Sequence, residues 1–269
     1  MENPARIYNY FEKKFGLGSL ALCQATCIAS LFHDSTPVSM ITIAPSGQEK
    51  TMVMKDILKI FPAHTIEIAS RFTSFGLAAK LGGDKIDMKT MCINDMVRTF
   101  DTMPKIKIKE LVSWLAELLS EGKAGSETAV EHKIEAHTCI IGNIAISKYR
   151  EVSGFFKSST FSERILQFTY KIDKNQIRAK PEKLKSMKPD FTISLKKQAI
   201  IVPQSFRKKI WNLSDTLAVL QQYEEQSLRT DTIITSWLKA HALLSNRKKI
   251  SQQDIRAFEN LLPYLKKII

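Results

Sequence analysis

The segment from 44 to 51, Ala-Pro-Ser-Gly-Gln-Glu-Lys-Thr, has the residue types and the spacing of a phosphate-binding loop. In such a loop, backbone N–H groups at a helix N-terminus bind phosphate oxygens, a lysine adds positive charge, and a hydroxyl binds Mg²⁺. Lys50 and Thr51 stand at the positions of that lysine and that hydroxyl, and Gly47 gives the loop one flexible point. An apolar run precedes the segment and a helical pattern follows it, as this chemistry requires.

Two residues of the segment depart from the pattern, which has glycine at both positions. Ala44 adds a methyl group where a tight turn is usual, and Glu49 adds a negative charge close to the expected phosphates. At about 4 Å and an effective dielectric constant near 20, one pair of like charges costs about 4 kcal/mol. The Glu49 side chain could instead point outward or pair with a lysine. We therefore expect a site that binds nucleotide, and any turnover there should be slow.

Polar side chains further along the chain fit the rest of such a site. Asn94 and Asp95 follow an apolar run where two acids would orient Mg²⁺ and polarise the attacking water, although the neutral Asn94 is the poorer Mg²⁺ partner. Asn143 ends a later apolar run and could hold that water, while Arg164 and Arg229 could balance phosphate charge. The plainer alternatives are that Asp95 and Asn143 merely terminate strands and that the two arginines form surface ion pairs.

Apolar runs that alternate with helical patterns surround these residues. Short β-branched runs that close in polar residues or proline predict strands, and amphipathic patterns predict helices between them. The fold class that follows is α/β, with a parallel sheet sandwiched by helices. The predicted strands are VSMITIAP, HTIEIAS, KTMCIND and HTCIIGN, and the predicted helices include two within 4–33, MVMKDILKIF, FGLAAKLG and IKIKELVSWLAELLSEG.

The pattern changes after about residue 173. The segment 174–209 holds eleven basic residues, among them Lys196 and Lys197, against two acidic ones, and the whole chain carries a formal charge of +13. This surplus favours a polyanionic partner, nucleic acid first, although the segment could also be a solvated loop. Helical patterns follow it. The predicted organisation is N-terminal helices on the core at 1–37, an α/β core at 38–173, a basic connector at 174–209 and a helical lid at 210–269.

At this point several motifs in one order resemble those of the AAA+ ATPases, and within them the minichromosome maintenance helicases. They are FGLAAKL after the second strand, LVSWLAELLSEGKAG before a sensor position, FSERIL as a finger motif and LRTDTIITSWLKAHALLSNRKKISQQDI as sensor 2 and lid. The resemblance covers roughly 38–269. It implies a P-loop NTPase core followed by a small all-α lid domain.

The resemblance also implies cofactors and residue roles. ATP or ADP with Mg²⁺ would bind at Gly47, Lys50 and Thr51, and Asn94 and Asp95 would complete the site, with Thr51 and Asp95 at the metal. Too few residues separate the second and third strands for the family's helix-2 insert.

Four further roles are implied in the same way. Asn143 would be sensor 1, Arg164 a finger acting on a neighbouring subunit, and Arg229 sensor 2. Lys123 falls where the family's pre-sensor hairpin carries a lysine that contacts DNA. The partners implied are DNA and either further copies of the chain or a partner ATPase.

Other patterns narrow the class of protein. The first residues are polar and no apolar run reaches the roughly 20 residues of a membrane span, so we expect a cytoplasmic protein without a membrane segment. Four cysteines form no disulfide framework at this length. His132, His137 and Cys139 lack a second pair at zinc-ligand spacing and are better explained as core or hairpin residues.

Three functions follow as hypotheses. The first is an ATP-binding, DNA-associated ATPase of replication type that works as an oligomer. The second is a non-catalytic module of the same fold that binds DNA or a partner, which Glu49 and Asn94 favour. The third is a basic adaptor that lends Arg164 to the site of an active partner.

Overall fold

Five parallel strands form the central sheet of the protein. The computed structural model describes residues 2–68, 71–74, 76–77, 88–126, 132–172, 175, 181, 184, 186–222 and 228–266. Its strands in chain order are β1 Ser39–Ala44, β2 Thr65–Ile68, β3 Thr90–Ile93, β4 Lys123–Ser126, β5 His132–Glu135, β6 Cys139–Ala145 and β7 Ile165–Thr169. The sheet order is β2-β3-β6-β1-β7, and β4 and β5 form a separate antiparallel pair. The predicted α/β class with a parallel sheet is confirmed.

Helices cover both faces of this sheet. In chain order they are α1 Asn3–Phe15, α2 Gly18–Ala29, α3 Lys50–Ile60, α4 Val97–Asp101, α5 Lys105–Glu121, α6 Ile146–Ser158, α7 Arg207–Gln221, α8 Leu228–Leu244 and α9 Gln252–Glu259. One cluster of buried residues joins α1–α3 and α7–α9 to the first face. A second cluster packs α4–α6 on the other face. The C-terminal helices therefore share one core with the N-terminal helices.

The four predicted strands are present as β1, β2, β3 and β6, and β7 is a fifth strand that the sequence analysis did not predict. The predicted helix at 106–122 is α5, whose apolar residues from Ile108 onward are buried and which ends where Gly122 takes a left-handed conformation with φ 66°. The predicted helix FGLAAKLG lies mostly outside the described residues.

The connections that follow β1 and β6 diverge to opposite faces of the sheet, which predicts a crevice at the carboxyl ends of these strands. These two strands are neighbours, with Thr42 opposite Asn143. The chain leaves β1 into α3 on the first face, but it leaves β6 into α6 on the second face. In open parallel sheets, ligands bind where neighbouring connections diverge in this way.

The described part of the basic connector is packed on the core through its apolar residues, whereas Lys196 and Lys197 are exposed. Residues 187–200, here called the strap, cross the core without forming a helix or a strand, and Phe191 is buried. The Ile193 N–H donates to the carbonyl of Ile60 at 2.8 Å, and the Gln198 N–H donates to that of Phe32 at 2.9 Å. The strap is therefore fixed to the end of α3 and to the turn before β1.

Candidate functional site

The segment 45–49 forms the turn between β1 and α3 at the crevice. Gly47 and Glu49 both have left-handed backbones, with φ of 74° and 59°. Such a conformation suits glycine and costs a residue with a side chain about 1 kcal/mol. Glu49 is the N-cap of α3, and its side chain makes no capping hydrogen bond. The first N–H groups of α3 have no acceptor within the helix, so this turn presents donors at a helix N-terminus.

Lys50 folds back across the turn. Its ammonium donates to the carbonyl oxygens of Ala44 and Pro45, each at 2.8 Å. Burial lowers the pKa of Lys50 to about 8, and the nearby Asp95 carboxylate opposes that shift only in part. No carboxylate in the described residues forms an ion pair with this ammonium within 4 Å. Within the described residues, the hydrogen-bond partners of this ammonium are therefore two neutral carbonyls.

The turn is tied to the end of β7. The buried Gln48 amide donates to the Ile172 carbonyl at 2.9 Å and accepts from the Ile172 N–H at 3.0 Å. The Tyr170 hydroxyl donates to the Gln48 carbonyl, and burial together with Glu49 raises the pKa of that hydroxyl. These bonds hold the loop without any ligand. Sequence reasoning missed both residues, and no spacing in the sequence signals them.

The structure places Asp95 and Asn94 just beyond β3, at the same edge of the sheet as the loop. Asp95 accepts a hydrogen bond from the Val97 N–H at 3.0 Å and lies 3.7 Å from the Arg98 guanidinium. The Asp95 side chain is partly exposed. The Asn94 amide donates to Glu67 on β2. Arg98, which has no assigned role in the sequence analysis, is thus the ion partner of Asp95.

Buried polar side chains on the first face of the sheet lack partners. Asn143 is 1% exposed, and neither its amide nitrogen nor its oxygen has a hydrogen-bond partner among the described residues. Thr42, its neighbour across the strands, is fully buried with an unpaired hydroxyl. Strand alternation puts both on the face that carries α3. Unpaired buried groups cost about 1–3 kcal/mol each, which favours a missing partner here. Thr42 was also missed, although it interrupts an otherwise apolar run.

Arg164 and Arg229 lie together at the opposite end of the sheet. They line a cavity of about 230 Å³ with Thr36 and Pro37, which precede β1, and Arg164 directly precedes β7. Burial, and then the charge of Arg229, lowers the pKa of Arg164. Arg229 donates to Glu163 at 2.9 Å. A strand of six residues separates them from the loop by roughly 17–20 Å. Neither arginine can reach the loop of its own chain.

The remaining predicted positions lie elsewhere. Lys196 and Lys197 are exposed on the strap. Lys123 begins β4, in the antiparallel pair that stands where the resemblance implied a hairpin, and its side chain is outside what the structure describes.

The predicted metal position fits the donor chemistry of Mg²⁺. Thr51 is exposed on the first turn of α3, and Asp95 lies at the same edge of the sheet. A hydroxyl and one carboxylate are hard oxygen ligands, which suits a Mg²⁺ that also binds phosphates and waters. In the ranges that the structure covers, no group of three His, Cys, Asp or Glu side chains is placed to hold a metal alone.

Comparison with known proteins identifies no family for the chain: no protein-family model and no curated protein matches it. Among the described helices, none combines the length and the apolar character needed to cross a lipid bilayer.

Proposed function

We propose that the chain is an ATP-binding, DNA-associated module of AAA+ type, with ATP or ADP held at the loop 44–51. The observation that carries this proposal is the Lys50 ammonium, which lies at a helix N-terminus and forms no ion pair within 4 Å with a carboxylate of the described residues. A polyphosphate would supply a negative charge to pair with Lys50. Its oxygens would accept hydrogen bonds from the N–H groups at the start of α3. The location at the diverging ends of β1 and β6 supports the same ligand.

Each residue of the site has a distinct part in this proposal. Lys50 would move from the two carbonyls to phosphate oxygens, and Thr51 with Asp95 would hold Mg²⁺, which lowers the charge barrier to attack on the terminal phosphate. Asn143 would donate its unpaired amide to a terminal phosphate oxygen or to the attacking water. The negative charge of Glu49 opposes the binding of phosphate at the loop. We therefore expect any turnover to be slow.

Arg164 and Arg229 could act only on the nucleotide site of a second molecule. They lie at the end of the sheet remote from their own loop, so a role for Arg164 as a finger, or for Arg229 as a sensor, requires a neighbouring copy or a partner ATPase. Assembly would place the amino end of one sheet beside the loop of the next. A lid role for α7–α9 belongs to the same proposal.

The test is a titration with a fluorescent ADP or ATP analogue in the presence of Mg²⁺. Saturable binding is expected for the natural chain and a loss of affinity of about 100-fold or more for Lys50→Ala. Lys55→Ala is the matched control, because Lys55 is exposed on the same helix and should leave binding unchanged. Equal binding by the Lys50→Ala protein would remove the phosphate-loop assignment.

One observation favours the second candidate, a module that binds nucleotide without hydrolysing it. Asn94 stands where an acid would help to hold Mg²⁺, and its amide is engaged by Glu67. A single carboxylate, Asp95, then remains at this position. Steady phosphate release that disappears in Asp95→Ala would exclude the non-catalytic candidate, whereas binding without release in the natural protein would establish it.

A further inference from the structure

An exposed basic surface lies where the strap passes into α7. Its members come from two separate segments, 194–209 and 246–249, and no acidic residue occurs in either segment. We name it the basic face, and its residues are Lys196, Lys197, Arg207, Lys208, Lys209, Lys248 and Lys249, all of which are exposed. Lys197 borders Asp34 across a cavity, and none of the other cations forms an ion pair with a carboxylate of the described residues. A group of lysines and arginines of this kind binds phosphate backbones.

Hydrogen bonds hold the two segments of the basic face together. The Ile201 N–H donates to the Lys248 carbonyl at 2.9 Å, and the Ile250 N–H donates to the Ile201 carbonyl at 3.0 Å. The Lys209 ammonium donates to the Gln252 side chain at 2.7 Å. The surface is therefore built on fixed backbone.

Trp211 lies within this surface on the first turns of α7. Its side chain is 51% exposed, whereas the two other tryptophans of the chain, Trp114 and Trp237, are buried in the core. Arg207 and Lys208 precede it by four and three residues, so all three share one side of the helix. An exposed indole beside two cations offers a flat apolar ring and positive charge to the same ligand, and tryptophan is enriched at such contacts.

We propose that this surface binds single-stranded DNA, with one base stacked on the Trp211 indole and the neighbouring phosphates bound by Arg207 and Lys208. A stacked base contributes about 1–3 kcal/mol, independent of its identity, and the cations add a term that depends on salt. Only an unpaired base can offer its flat face to the ring, so a duplex gains from the charges alone. Asp215 lies one turn beyond Trp211 and bounds the cationic stretch of the helix. This inference rests on the DNA-associated part of the proposed function and not on the nucleotide site.

The experiment measures two signals with a labelled 20-nucleotide oligo(dT), its duplex and the full-length protein. Fluorescence anisotropy reports binding, and quenching of tryptophan emission reports stacking. We expect tighter binding of the single strand with quenching of the emission. Trp211→Ala should weaken that binding by about 5- to 150-fold, the range that 1–3 kcal/mol gives. Trp211→Phe should retain most of the affinity while the quenching disappears, and Val219→Ala, an exposed apolar control on α7, should change neither.

The outcomes separate this inference from the proposed function. Unchanged affinity in Trp211→Ala, or equal affinity for single strand and duplex, would overturn the stacking site and leave DNA association standing. Absence of any oligonucleotide binding by the natural chain would overturn both the inference and the DNA-associated part, while the nucleotide titration tests the loop separately. A tryptophan signal that depends on protein concentration instead of DNA would assign the surface to protein contacts and overturn the inference.

Discussion

Two lysines of this protein are withdrawn from solvent near α3, and they are satisfied in opposite ways. Lys14 on α1 is 3% exposed and donates to the Asp56 carboxylate at 2.6 Å, to the Tyr10 hydroxyl at 3.3 Å and to the Met187 carbonyl. Lys50 donates to two carbonyls and has no carboxylate partner. The first site is complete without a ligand, whereas the second lacks an anion.

The difference explains which lysine serves the fold and which is available for chemistry. The Lys14 network joins α1, α3 and the strap, and Asp56 also accepts from the exposed Lys59 at 2.9 Å. A buried charge pair adds little to stability overall, but removal of one partner leaves the other charge buried and is costly. At Lys50 no partner charge would be left behind. The same substitution should therefore cost much more stability at Lys14 than at Lys50.

The largest expected effect is a loss of stability in Lys14→Met. The free energy of unfolding should fall by about 3 kcal/mol, the lower end of the range for a broken buried pair, because Lys59 still contacts Asp56. Lys50→Met should change it by less than about 1 kcal/mol, since it removes a desolvated charge and orphans none. Urea unfolding of the two variants measures the contrast directly.

A double variant sharpens this test. Lys14→Met combined with Asp56→Leu removes both charges and should recover most of the lost stability. Failure of the double variant to recover would show that packing of the lysine stem, and not the pairing of charge, is what Lys14 provides. Equal losses for Lys14→Met and Lys50→Met would contradict the contrast between the sites.

The next effect is a pH dependence of nucleotide binding that arises from Lys50. Its pKa is about 8 in the free protein, so it loses its proton as the pH rises above 8. A bound phosphate favours the charged form and raises that pKa towards its usual value near 10.4, so binding above pH 8 must take up a proton. Affinity should then be constant below pH 7.5 and about tenfold weaker at pH 9. Titrations with the fluorescent nucleotide at the two pH values measure it.

Lys50→Arg is the control for this dependence. Arginine keeps its charge throughout the range, so whatever affinity the variant retains should not vary between pH 7 and pH 9. The same tenfold change in the arginine variant would assign the titration to another group. No change in the natural protein would contradict a lowered pKa for Lys50.

The sequence predicts the frame of this molecule better than its contacts. The apolar runs that became β1, β3 and β6 are short, β-branched and closed by polar residues, and the amphipathic pattern of α5 ends at Gly122, so local patterns were sufficient. The run that forms β7, Ile165–Thr169, is a weaker strand signal because Gln167 interrupts it and the finger-like motif directly precedes it.

The candidate site divides in the same way. Chain order placed Lys50 and Asp95 at one edge of the sheet, since loops that follow parallel strands meet there. The position of Arg164 before β7, at the opposite edge, could not be predicted without that strand. The ties of Gln48 to Ile172, 124 residues apart, depend on tertiary packing that no local pattern encodes.

The smallest expected effect concerns Glu49, where the loop differs most from its pattern. Glu49→Gly should raise the free energy of unfolding by roughly 0.5–1 kcal/mol, because glycine adopts the left-handed backbone without strain. The greater conformational freedom of glycine in the unfolded chain offsets part of this gain. Glu49→Gln keeps the side chain and should leave stability unchanged. Both variants remove one negative charge beside the phosphates and should tighten nucleotide binding a few-fold, with solvent screening limiting the gain. Urea unfolding and nucleotide titration together separate the effect of the backbone conformation from the effect of the charge. A loss of stability in Glu49→Gly would contradict the left-handed conformation. Tighter binding by the glycine variant alone would mean that geometry, not charge, limits the Lys50 site.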